Sequence, residues 1–490
     1  MQQLIGLTTR CQSWHGGLMM VLSSRRLAAD LGAWRAGGPA YEALADRIRL
    51  LTLDGRIPLG TRLPAERELA AELGLSRTTV AAAYTRLRTA GYLHSTRGSG
   101  SVVVMPGRGT TPAEDDGPAT VTLDFSKAAL PAAPQVGEAV ARAVQELAAY
   151  LNGHGFDPVG LPRLRQALAE RYTGRGVPTE SGQIMVTLGA QHAISLVART
   201  LLRRSDTALV EAPSYPHAYE ALKSAGRRLV PVAVDARQGW DDDGLEQAFQ
   251  RARPALAYVM PDFHNPTGAV MPGHQRERLM AVAARHGSVV VADETMAELR
   301  IEGETQLPLA AHGPAILIGS LNKTVWGGLR IGWIRAEAEM IRRLEQARYA
   351  NDLGTPILEQ LIGLEMLGNY DELLRFRALQ LAQGRDHLEA LLREHLPTWD
   401  VPHVPGGLCT WVNIGQPVSS QLALAARDGG LLLGAGPRFG PGGVFERFLR
   451  LPFSYPAEET RQAVEVLAQS WHSVIPGRKI STDAEPALVY

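Results

Sequence analysis

The sequence predicts two folded parts: a small helical domain with a β-hairpin near the amino terminus, and a large α/β domain that ends in a smaller α+β subdomain. A chain of 490 residues is too long for one ordinary hydrophobic core. Short apolar segments alternate with helical ones across 122–475, which is typical of an α/β domain. Residues 105–121 are rich in Pro, Gly, Thr and acidic residues, and they predict a linker after a compact segment at 39–104.

The composition argues against several classes of protein. The formal net charge is zero, so any binding of nucleic acid must depend on local placement of charge. Cys11 and Cys409 are far apart, which fits a reducing cytosol rather than a disulfide framework. There is neither an apolar run of about 18 residues nor a signal-peptide pattern, so a cytoplasmic protein without membrane or metal sites is expected.

The two ends of the chain carry little periodic pattern. Residues 1–38 form an extension in which Met19 and Met20 precede Ser23–Leu27, a typical helix start. The hypothesis is that translation begins at one of these methionines, which would leave residues 1–18 untranslated. Residues 476–490 predict an unstructured tail.

The segment 39–104 predicts three helices and a hairpin. Tyr41–Leu53 has the apolar spacing of an amphipathic helix, and Pro64–Ala70 opens a second helix with proline in its first turn. Ser76 caps a third helix, whose buried face is Val80, Tyr84 and Leu87. Tyr92–Val104 then predicts a two-stranded ribbon. This order is that of a winged helix-turn-helix.

Basic residues of this domain are placed where DNA phosphates would lie. Arg67, Arg77 and Arg97 stand at the two helix starts and at the hairpin tip. The excess of arginine over acidic residues is modest, so placement carries the argument. The alternative is a small protein-interaction module with solvated arginines.

The segment LPAERELAAELGLSRTTVAAAYTRLRTAGYL, together with RGSGS, resembles the GntR family of bacterial regulators. The resemblance implies contact with operator DNA at the start of the third helix and at the hairpin tip. The implied DNA-binding residues are Arg67, Ser76, Arg77, Thr78, Thr79, Arg97 and Gly98.

The large domain predicts a mostly parallel sheet covered by helices on both faces. Its candidate strands are Thr207–Glu211, Leu229–Val234, Ala255–Met260, Ser288–Asp293, Ala315–Gly319 and Ile331–Arg335. A long helical stretch, about 337–396, precedes the smaller subdomain. The strands expected there are Leu408–Ile414, Leu431–Gly434 and Phe448–Phe453.

Lys323 is the most informative residue, because the chain has only four lysines. A lysine amine can attack an aldehyde, whereas a guanidinium cannot lose its proton to do so. Lys323 follows a predicted strand, and Ser320, Asn322 and Arg330 are placed to surround a phosphate. An aldehyde that is also a phosphate ester is pyridoxal 5′-phosphate. For Lys323 taken alone, an ordinary surface lysine is the default interpretation.

Polar residues at other strand ends extend this pattern. Asn265 follows a strand in a Pro-Thr-Gly turn and could donate to the ring oxygen of the cofactor, although a plain turn is the alternative. Asp293 ends an apolar run, where a carboxylate is costly unless it is paired. A protonated pyridine nitrogen would pair it, and so would Arg300 in a purely structural ion pair. Glu294 is expected to be structural.

Helix starts add two weaker signals. Ala190 and Gln191 directly precede a helix predicted at His192–Leu202, and backbone amides at such a start favour a phosphate. Tyr215 is placed near the ring or in the core.

Because parallel strands end at one edge of a sheet, that edge would gather Asn265, Asp293 and Lys323.

The motifs HNPTG, VVVADE and SLNKTVWGGLRIGW resemble fold-type I aminotransferases, and the likeness extends over nearly all of 122–472. Asp157-Pro158-x-Gly160 and Phe448-Leu449-Arg450-Leu451 also match. The resemblance implies a Schiff base between Lys323 and pyridoxal 5′-phosphate, and a substrate carboxylate gripped by Arg450. The alternative for Arg450 is a strand arginine paired with a nearby acid.

A GntR domain, a linker and an aminotransferase-like domain in this order resemble the MocR subfamily of regulators. The subfamily implies a head-to-tail homodimer. One departure is that Asp293-Glu294-Thr295-Met296 replaces the usual Asp-Asp-Tyr-Asp, so the tyrosine expected near the ring is missing.

The sequence therefore predicts a transcription factor that binds operator DNA and senses a small amino compound, or the cofactor itself. The expected effector displaces Lys323 while Arg450 holds its carboxylate. One competing interpretation is a working aminotransferase with a DNA-binding appendage, which would release keto acid repeatedly. Another is a cofactor-free regulator that kept the fold.

Overall fold

The computed structural model describes residues 21–32, 34–35, 39–53, 56–96, 100–104, 123–225 and 228–475. The chain divides into two compact units, Met1–Gly117 and Pro118–Tyr490, and each is treated by itself. Residues 1–18, the linker, the tail and the hairpin-tip residues Arg97 and Gly98 lie outside the described residues. Within the described ranges, no helix has both the length and the apolar character needed to cross a bilayer.

The described residues of the first unit form four helices and one hairpin. The helices are α1 Ser24–Leu31, α2 Ala40–Leu53, α3 Glu66–Leu73 and α4 Arg77–Thr89, and the strands are β1 Leu93–Thr96 and β2 Gly100–Val103. The two strands pair in antiparallel fashion, as the sequence predicts. Helix α1 begins after Ser23, whose side chain accepts a hydrogen bond from the Arg26 amide. Leu27 and Leu31 of α1 are buried in the same core as α2 and α4, so part of the predicted extension packs with this unit.

The helix-turn-helix is formed by α3 and α4. Gly74 ends α3 in the left-handed conformation (φ 62°), and Ser76 caps α4 by accepting a hydrogen bond from the Thr79 amide at 3.1 Å. The prediction that proline lies in the first turn of α3 is wrong, because the helix begins at Glu66. The Pro64 carbonyl instead accepts a hydrogen bond from the buried Tyr84 hydroxyl at 2.9 Å.

The second unit is an α/β domain with a smaller subdomain. Its strands are β3 Leu123–Asp124, β4 Ile184–Thr187, β5 Thr207–Ala212, β6 Arg228–Asp235, β7 Gly239–Trp240, β8 Leu256–Val259, β9 Val289–Asp293, β10 Ala315–Ser320, β11 Gly332–Arg335, β12 Cys409–Asn413, β13 Leu431–Leu432, β14 Gly434–Ala435 and β15 Phe448–Pro452. Its helices are α5 Val136–Leu147, α6 Pro162–Gly174, α7 Ala190–Leu201, α8 Pro216–Ser224, α9 Asp242–Ala252, α10 Gly273–Arg285, α11 Ala338–Arg348, α12 Ile357–Gly368, α13 Tyr370–His395, α14 Ser419–Asp428 and α15 Ala457–Val474.

The main sheet has the strand order β4-β11-β10-β9-β8-β5-β6-β7. Strands β10, β9, β8, β5 and β6 are parallel, while β11 and β7 are antiparallel to their neighbours. The mostly parallel sheet is thus confirmed. Consecutive residues alternate between two buried clusters: Ala257 and Val259 of β8 join one, and Leu256 and Tyr258 join the other. Helices therefore cover both faces.

The smaller subdomain is built on an antiparallel sheet of β12, β15 and β14. The single strand predicted at Leu431–Gly434 is wrong, because the chain changes sheets at Leu433. Strand β13 pairs in parallel with β3, whereas β14 pairs with β15. The predicted helical stretch at 337–396 consists of three helices, α11 to α13.

The register of the parallel strands fixes the position of the site. Asp293, the last residue of β9, pairs with Ile318 of β10, and β10 continues to Ser320. The segment with Asn265 follows β8, the next strand on the other side of β9. Three chain segments with polar residues therefore leave one edge of the sheet side by side.

Candidate functional site

The first candidate site is the polar start of α4 with the adjacent part of α3. Arg67, Arg77 and Thr78 are exposed, and the Arg77 side chain is 74% exposed with Glu66 3.9 Å away. The Ser76 hydroxyl lies 2.7 Å from that of Thr78 and 2.8 Å from that of Thr79. Four of the described DNA-binding candidates, Ser76, Arg77, Thr78 and Thr79, thus lie together at the polar start of α4, and Arg67 is exposed on α3.

The second candidate site is a cavity of about 380 Å³ at the carboxyl edge of the main sheet. It is lined by every residue that the sequence predicts for the cofactor and its ligand. These are Ala190, Gln191, Tyr215, Asn265, Asp293, Ser320, Asn322, Lys323, Arg330 and Arg450. A cavity of this size is within the usual range for a small-molecule site.

Lys323 lies in the turn after β10, and its Nζ donates a hydrogen bond to the Ala128 carbonyl at 2.7 Å. Burial, reinforced by the positive charge of Arg450, lowers the pKa of Lys323 to about 8. A far larger fraction of the amine is therefore neutral near pH 7 than for an exposed lysine. A neutral amine is the form that attacks an aldehyde.

Asp293 is held by polar neighbours rather than by a cation of the chain. The Tyr258 hydroxyl donates to it at 2.6 Å and the Thr295 amide at 3.0 Å. Burial raises the pKa of Asp293, although these hydrogen bonds oppose the rise. The alternative pairing with Arg300 is wrong, because that guanidinium donates to the Gly303 carbonyl.

Glu294 forms a separate buried ion pair. Its carboxylate lies 3.0 Å from Arg175 Nη1, which fits the structural role expected for it. The next two residues, Thr295 and Met296, line the cavity. The position where the MocR motif carries a tyrosine is therefore at the cavity wall.

A compact anion cradle is formed where α7 begins beside β11. Gly189 precedes the helix with φ 80°, and a Cβ there would stand 2.7 Å from Arg330 Nη2 and 2.9 Å from Asn322 Nδ2. A Cβ on Gly332 would stand 2.6 Å from the Gly189 carbonyl carbon. Only glycine at both positions lets backbone and side chains approach so closely.

Side chains complete this cradle. The Ser320 hydroxyl donates to the Ile331 carbonyl and accepts from the Asn322 amide, which fixes the turn. Arg330 adopts a left-handed backbone (φ 54°), which is uncommon for a residue other than glycine and is found often at binding sites. The amides that open α7, at Ala190 and Gln191, favour an anion by their hydrogen bonds and the helix dipole.

Asn265 and Tyr215 form other parts of the wall. The Cys409 thiol donates to the Asn265 side-chain oxygen at 3.8 Å. Among the described residues, the Asn265 side-chain nitrogen has no acceptor. Tyr215 is half-buried at the start of α8, and burial raises its pKa. It lies at the cavity rather than wholly inside the core.

Arg450 lies on β15 and is buried. It donates through Nη2 to the Ser126 carbonyl, and its guanidinium carbon is 5.1 Å from the centroid of the Phe439 ring. Its Nε atom is buried without a hydrogen-bond partner. The alternative of a strand arginine paired with an acid is wrong, because no acid among the described residues pairs with it.

Sequence reasoning missed several residues that line this cavity or contact the residues lining it. Tyr258 is a mid-strand residue, and nothing in the sequence distinguishes it from a core tyrosine. The segment Ser126–Ala129 supplies the carbonyls that bond to Lys323 and Arg450, but it has no periodic pattern. Cys409 and Arg438 come from the smaller subdomain, whose packing against the sheet no local pattern predicts.

The donor set fits a phosphorylated aldehyde. Lys323 supplies an amine of lowered pKa, and the cradle supplies donors for an anion. The Oδ1 atom of Asn322 and the Oε1 atom of Gln191 are buried without a partner, so the cavity wall also has unused acceptors for N–H or O–H groups of a ligand. A buried Asp293 without a cation suits a protonated ring nitrogen.

Comparison with known protein families supports both parts of the chain. Residues 123–467 match the family described as aminotransferase class I and II, a family that uses pyridoxal phosphate. Residues 40–103 match the bacterial regulatory proteins of the gntR family. The two resemblances predicted from the sequence motifs are confirmed.

Similar proteins include regulators and enzymes of known structure. An uncharacterized HTH-type transcriptional regulator, YdfD of Bacillus subtilis, is 27% identical over 86% of this chain and 94% of its own length. The probable rhizopine catabolism regulatory protein MocR of Rhizobium meliloti is 30% identical, over 74% of this chain and 78% of its own. The α-aminoadipate aminotransferase LysN of Thermus thermophilus superposes with a TM-score of 0.67 at 27% identity, covering 72% of this chain and 93% of LysN.

The two matched families follow one another along the chain, and the relatives matched over most of their own length include transcriptional regulators. The chain belongs to the MocR subfamily of GntR-type regulators, in which a GntR domain precedes an aminotransferase class I and II domain.

Proposed function

We propose that this regulator binds operator DNA through its first unit and senses a small amino compound through pyridoxal 5′-phosphate held at Lys323. The observation that carries the proposal is the single cavity that joins an amine of lowered pKa, an anion cradle and a buried arginine. These groups belong to a chain that also carries a GntR domain. Sensing and DNA binding are thus present in one polypeptide.

Different residues would hold different parts of the cofactor. Ser320, Asn322, Arg330 and the start of α7 would hold the phosphate, and Asp293 would pair with the ring nitrogen. When bound, the group supplies an aldehyde carbon that bonds reversibly to primary amines and a ring that withdraws electrons. Tyr258 keeps the Asp293 carboxylate oriented through its 2.6 Å hydrogen bond.

Arg450 is the proposed site for the carboxylate of the amino compound. A guanidinium binds a carboxylate in bidentate fashion, and a buried one does so more strongly than one in water. In the structure, Arg450 instead donates to the Ser126 carbonyl, and Lys323 donates to the Ala128 carbonyl. A ligand that engages these two side chains therefore competes with two contacts to one short segment.

That segment provides a route to the DNA-binding unit. Residues 124–128 directly follow in sequence the residues that join the two units. The segment is also held by the Tyr455 hydroxyl, which donates to the Asp124 carbonyl, and by the Lys127–Asp124 ion pair. Loss of its contacts to Lys323 and Arg450 would change its position, and typical couplings of this kind are about 1–3 kcal/mol.

Apolar exposed side chains support a homodimer. Phe156 is 71% exposed and Leu353 is 50% exposed, and a β-bridge between Asp157 and Gly354 places their two segments side by side. Tyr349, 55% exposed, is on the second of these segments. A group of exposed apolar residues, unlike a single one, often marks an interaction surface. We infer that a second copy of the chain covers them.

Replacing Lys323 tests attachment of the cofactor. After incubation with pyridoxal 5′-phosphate, the wild-type chain should show visible absorbance, and borohydride reduction should leave a pyridoxyl group on Lys323 in a peptide mass map. Lys323→Ala should lose both signals because no other described lysine is a buried donor at the cavity floor. Lys223→Ala, on the exposed face of α8, is the matched control and should keep both.

The pKa of Lys323 predicts the pH dependence of attachment. The neutral amine is the reactive form, so the rate of attachment should rise about tenfold per pH unit below pH 8 and level off above it. Arg450→Gln removes a like charge and should move the midpoint to higher pH. Stopped-flow absorbance measures the rate. A midpoint near that of an exposed lysine, in the wild-type chain, would contradict the buried environment.

A gel-shift assay on the DNA upstream of the gene tests sensing. The wild-type complex should change its mobility or affinity when cofactor and a panel of amino acids are added. Arg450→Gln should bind the DNA as the wild type does but ignore the amino acids. If neither cofactor nor any amino compound alters the wild-type complex, sensing through this cavity is wrong.

The gel-shift assay also tests the DNA-binding surface of the first unit. Arg77→Ala should weaken binding and lower the slope of log affinity against log salt by about 1, the effect of one lost phosphate contact. Arg86→Ala is the comparison, because Arg86 lies near the far end of α4 beside Glu42, 3.4 Å away. An unchanged salt slope for Arg77→Ala would remove it from the DNA contacts.

Phe156→Glu tests the dimer. The side chain is largely exposed, so the substitution should leave the folded monomer intact but weaken self-association about 30-fold or more, the effect of losing a strong anchor residue. Sedimentation velocity over a concentration series measures it. Leu379→Glu, on an equally exposed leucine of α13, is the control. Equal association by both variants would place the interface elsewhere.

A further inference from the structure

Arg438 is a second arginine of the cavity that the proposed function does not use. It lies in the short helical turn Gly436–Phe439 after β14, and it is half-buried. Its side chain lines the same cavity as Lys323 and Arg450. The next residue, Phe439, packs its ring against the Arg450 guanidinium, so the two arginines belong to one end of the cavity.

The other charged groups of the cavity have partners. Lys127 lies 2.8 Å from Asp124, and Arg330 donates to the Leu188 carbonyl at 3.0 Å. Asp262 is bound to the buried Arg276 at 2.6 Å. Asp293 is held by Tyr258, as described above. Arg438, in contrast, has neither a hydrogen bond nor an ion pair with any residue that the structure describes.

This end of the cavity has an excess of positive charge. Burial lowers the pKa of Arg450, and the charge of Arg438 lowers it further. Burial and the same guanidinium lower the pKa of His217, which also lines the cavity. The two carboxylates in the wall, Asp262 and Asp293, are committed to other partners. An amino compound with a single carboxylate would neutralise Arg450 and leave Arg438 uncompensated.

We propose that Arg438 binds a second acidic group of the effector, so that the site selects an amine that carries two anionic groups, of the amino dicarboxylate class. Arg450 takes one carboxylate and Arg438 the other, each as a guanidinium fork. The inference rests on the proposed function, because it assigns the ligand of that same cavity. It explains an uncompensated guanidinium that no contact within the described chain accounts for.

Matched pairs of ligands test the selectivity. The full-length chain, loaded with pyridoxal 5′-phosphate, is titrated by calorimetry with aspartate, glutamate and 2-aminoadipate. Each is compared with the mono-acid in which a methyl group replaces the distal carboxylate: 2-aminobutyrate, norvaline and norleucine. We expect at least one di-acid to bind at least about tenfold more tightly than its counterpart, because a charge-assisted contact has about this effect.

Variants assign the preference to Arg438. Arg438→Gln should weaken binding of the preferred di-acid about 10- to 100-fold, the effect of one lost charged hydrogen-bonding partner, and leave the mono-acid unchanged. Arg438→Lys should keep part of the preference, because it retains the charge but loses the fork. Arg375→Gln, an exposed arginine on α13, should keep all of it.

Two results would overturn the inference. One is a wild-type chain that binds di-acids and mono-acids equally, and the other is a preference that survives in Arg438→Gln. Visible absorbance is recorded in the same samples, and its retention in the variants shows that the cavity is folded. Absence of that absorbance from the wild type would refute the proposed function and this inference together, whereas its presence without selectivity refutes the inference alone.

Discussion

The removal of one amine from water is the constraint on which the cavity depends. Lys323 stands at the edge of a parallel sheet, with a guanidinium as a neighbour and with the Ala128 carbonyl rather than a carboxylate as its acceptor. A nearby unpaired carboxylate would stabilise the ammonium form and make the amine unreactive. The Asp293 carboxylate does raise the pKa of Lys323, but burial and the positive charge of Arg450 outweigh it. Charge at the site is thus balanced only when a ligand is present.

The fold and the centre of the site were predictable because parallel strands are marked by apolar runs. Asn265, Asp293 and Lys323 each follow such a run, and the topology of a parallel sheet then requires them to meet. The GntR helices were predictable for a similar reason, since Ser76 and the apolar face of α4 are local signals. The boundary error at Pro64 arose because proline is tolerated just before a helix as well as within its first turn.

The remaining parts of the site depend on long-range packing. Tyr258 contacts Asp293 because β8 and β9 are neighbours in the observed register, which the sequence of either strand does not specify. The segment Ser126–Ala129 reaches Lys323 across almost two hundred residues of intervening chain. Leu433 lies where the chain leaves one sheet for another, and no propensity marks such a change. For helix α1 the sequence predicts no more than a helix start, because the two buried leucines, Leu27 and Leu31, are too few to define a period.

The close approach of Gly189 and Gly332 builds the anion cradle from groups that do not include Lys323. The cradle combines the amides that open α7 with the side chains of Ser320, Asn322 and Arg330, and the two glycines let these groups approach one another. In the proposed function, covalent attachment at Lys323 and retention of the phosphate ester therefore depend on different residues. On that proposal, a descendant without the Lys323 amine would still carry the groups assigned to the phosphate, and could acquire another phosphorylated ligand there.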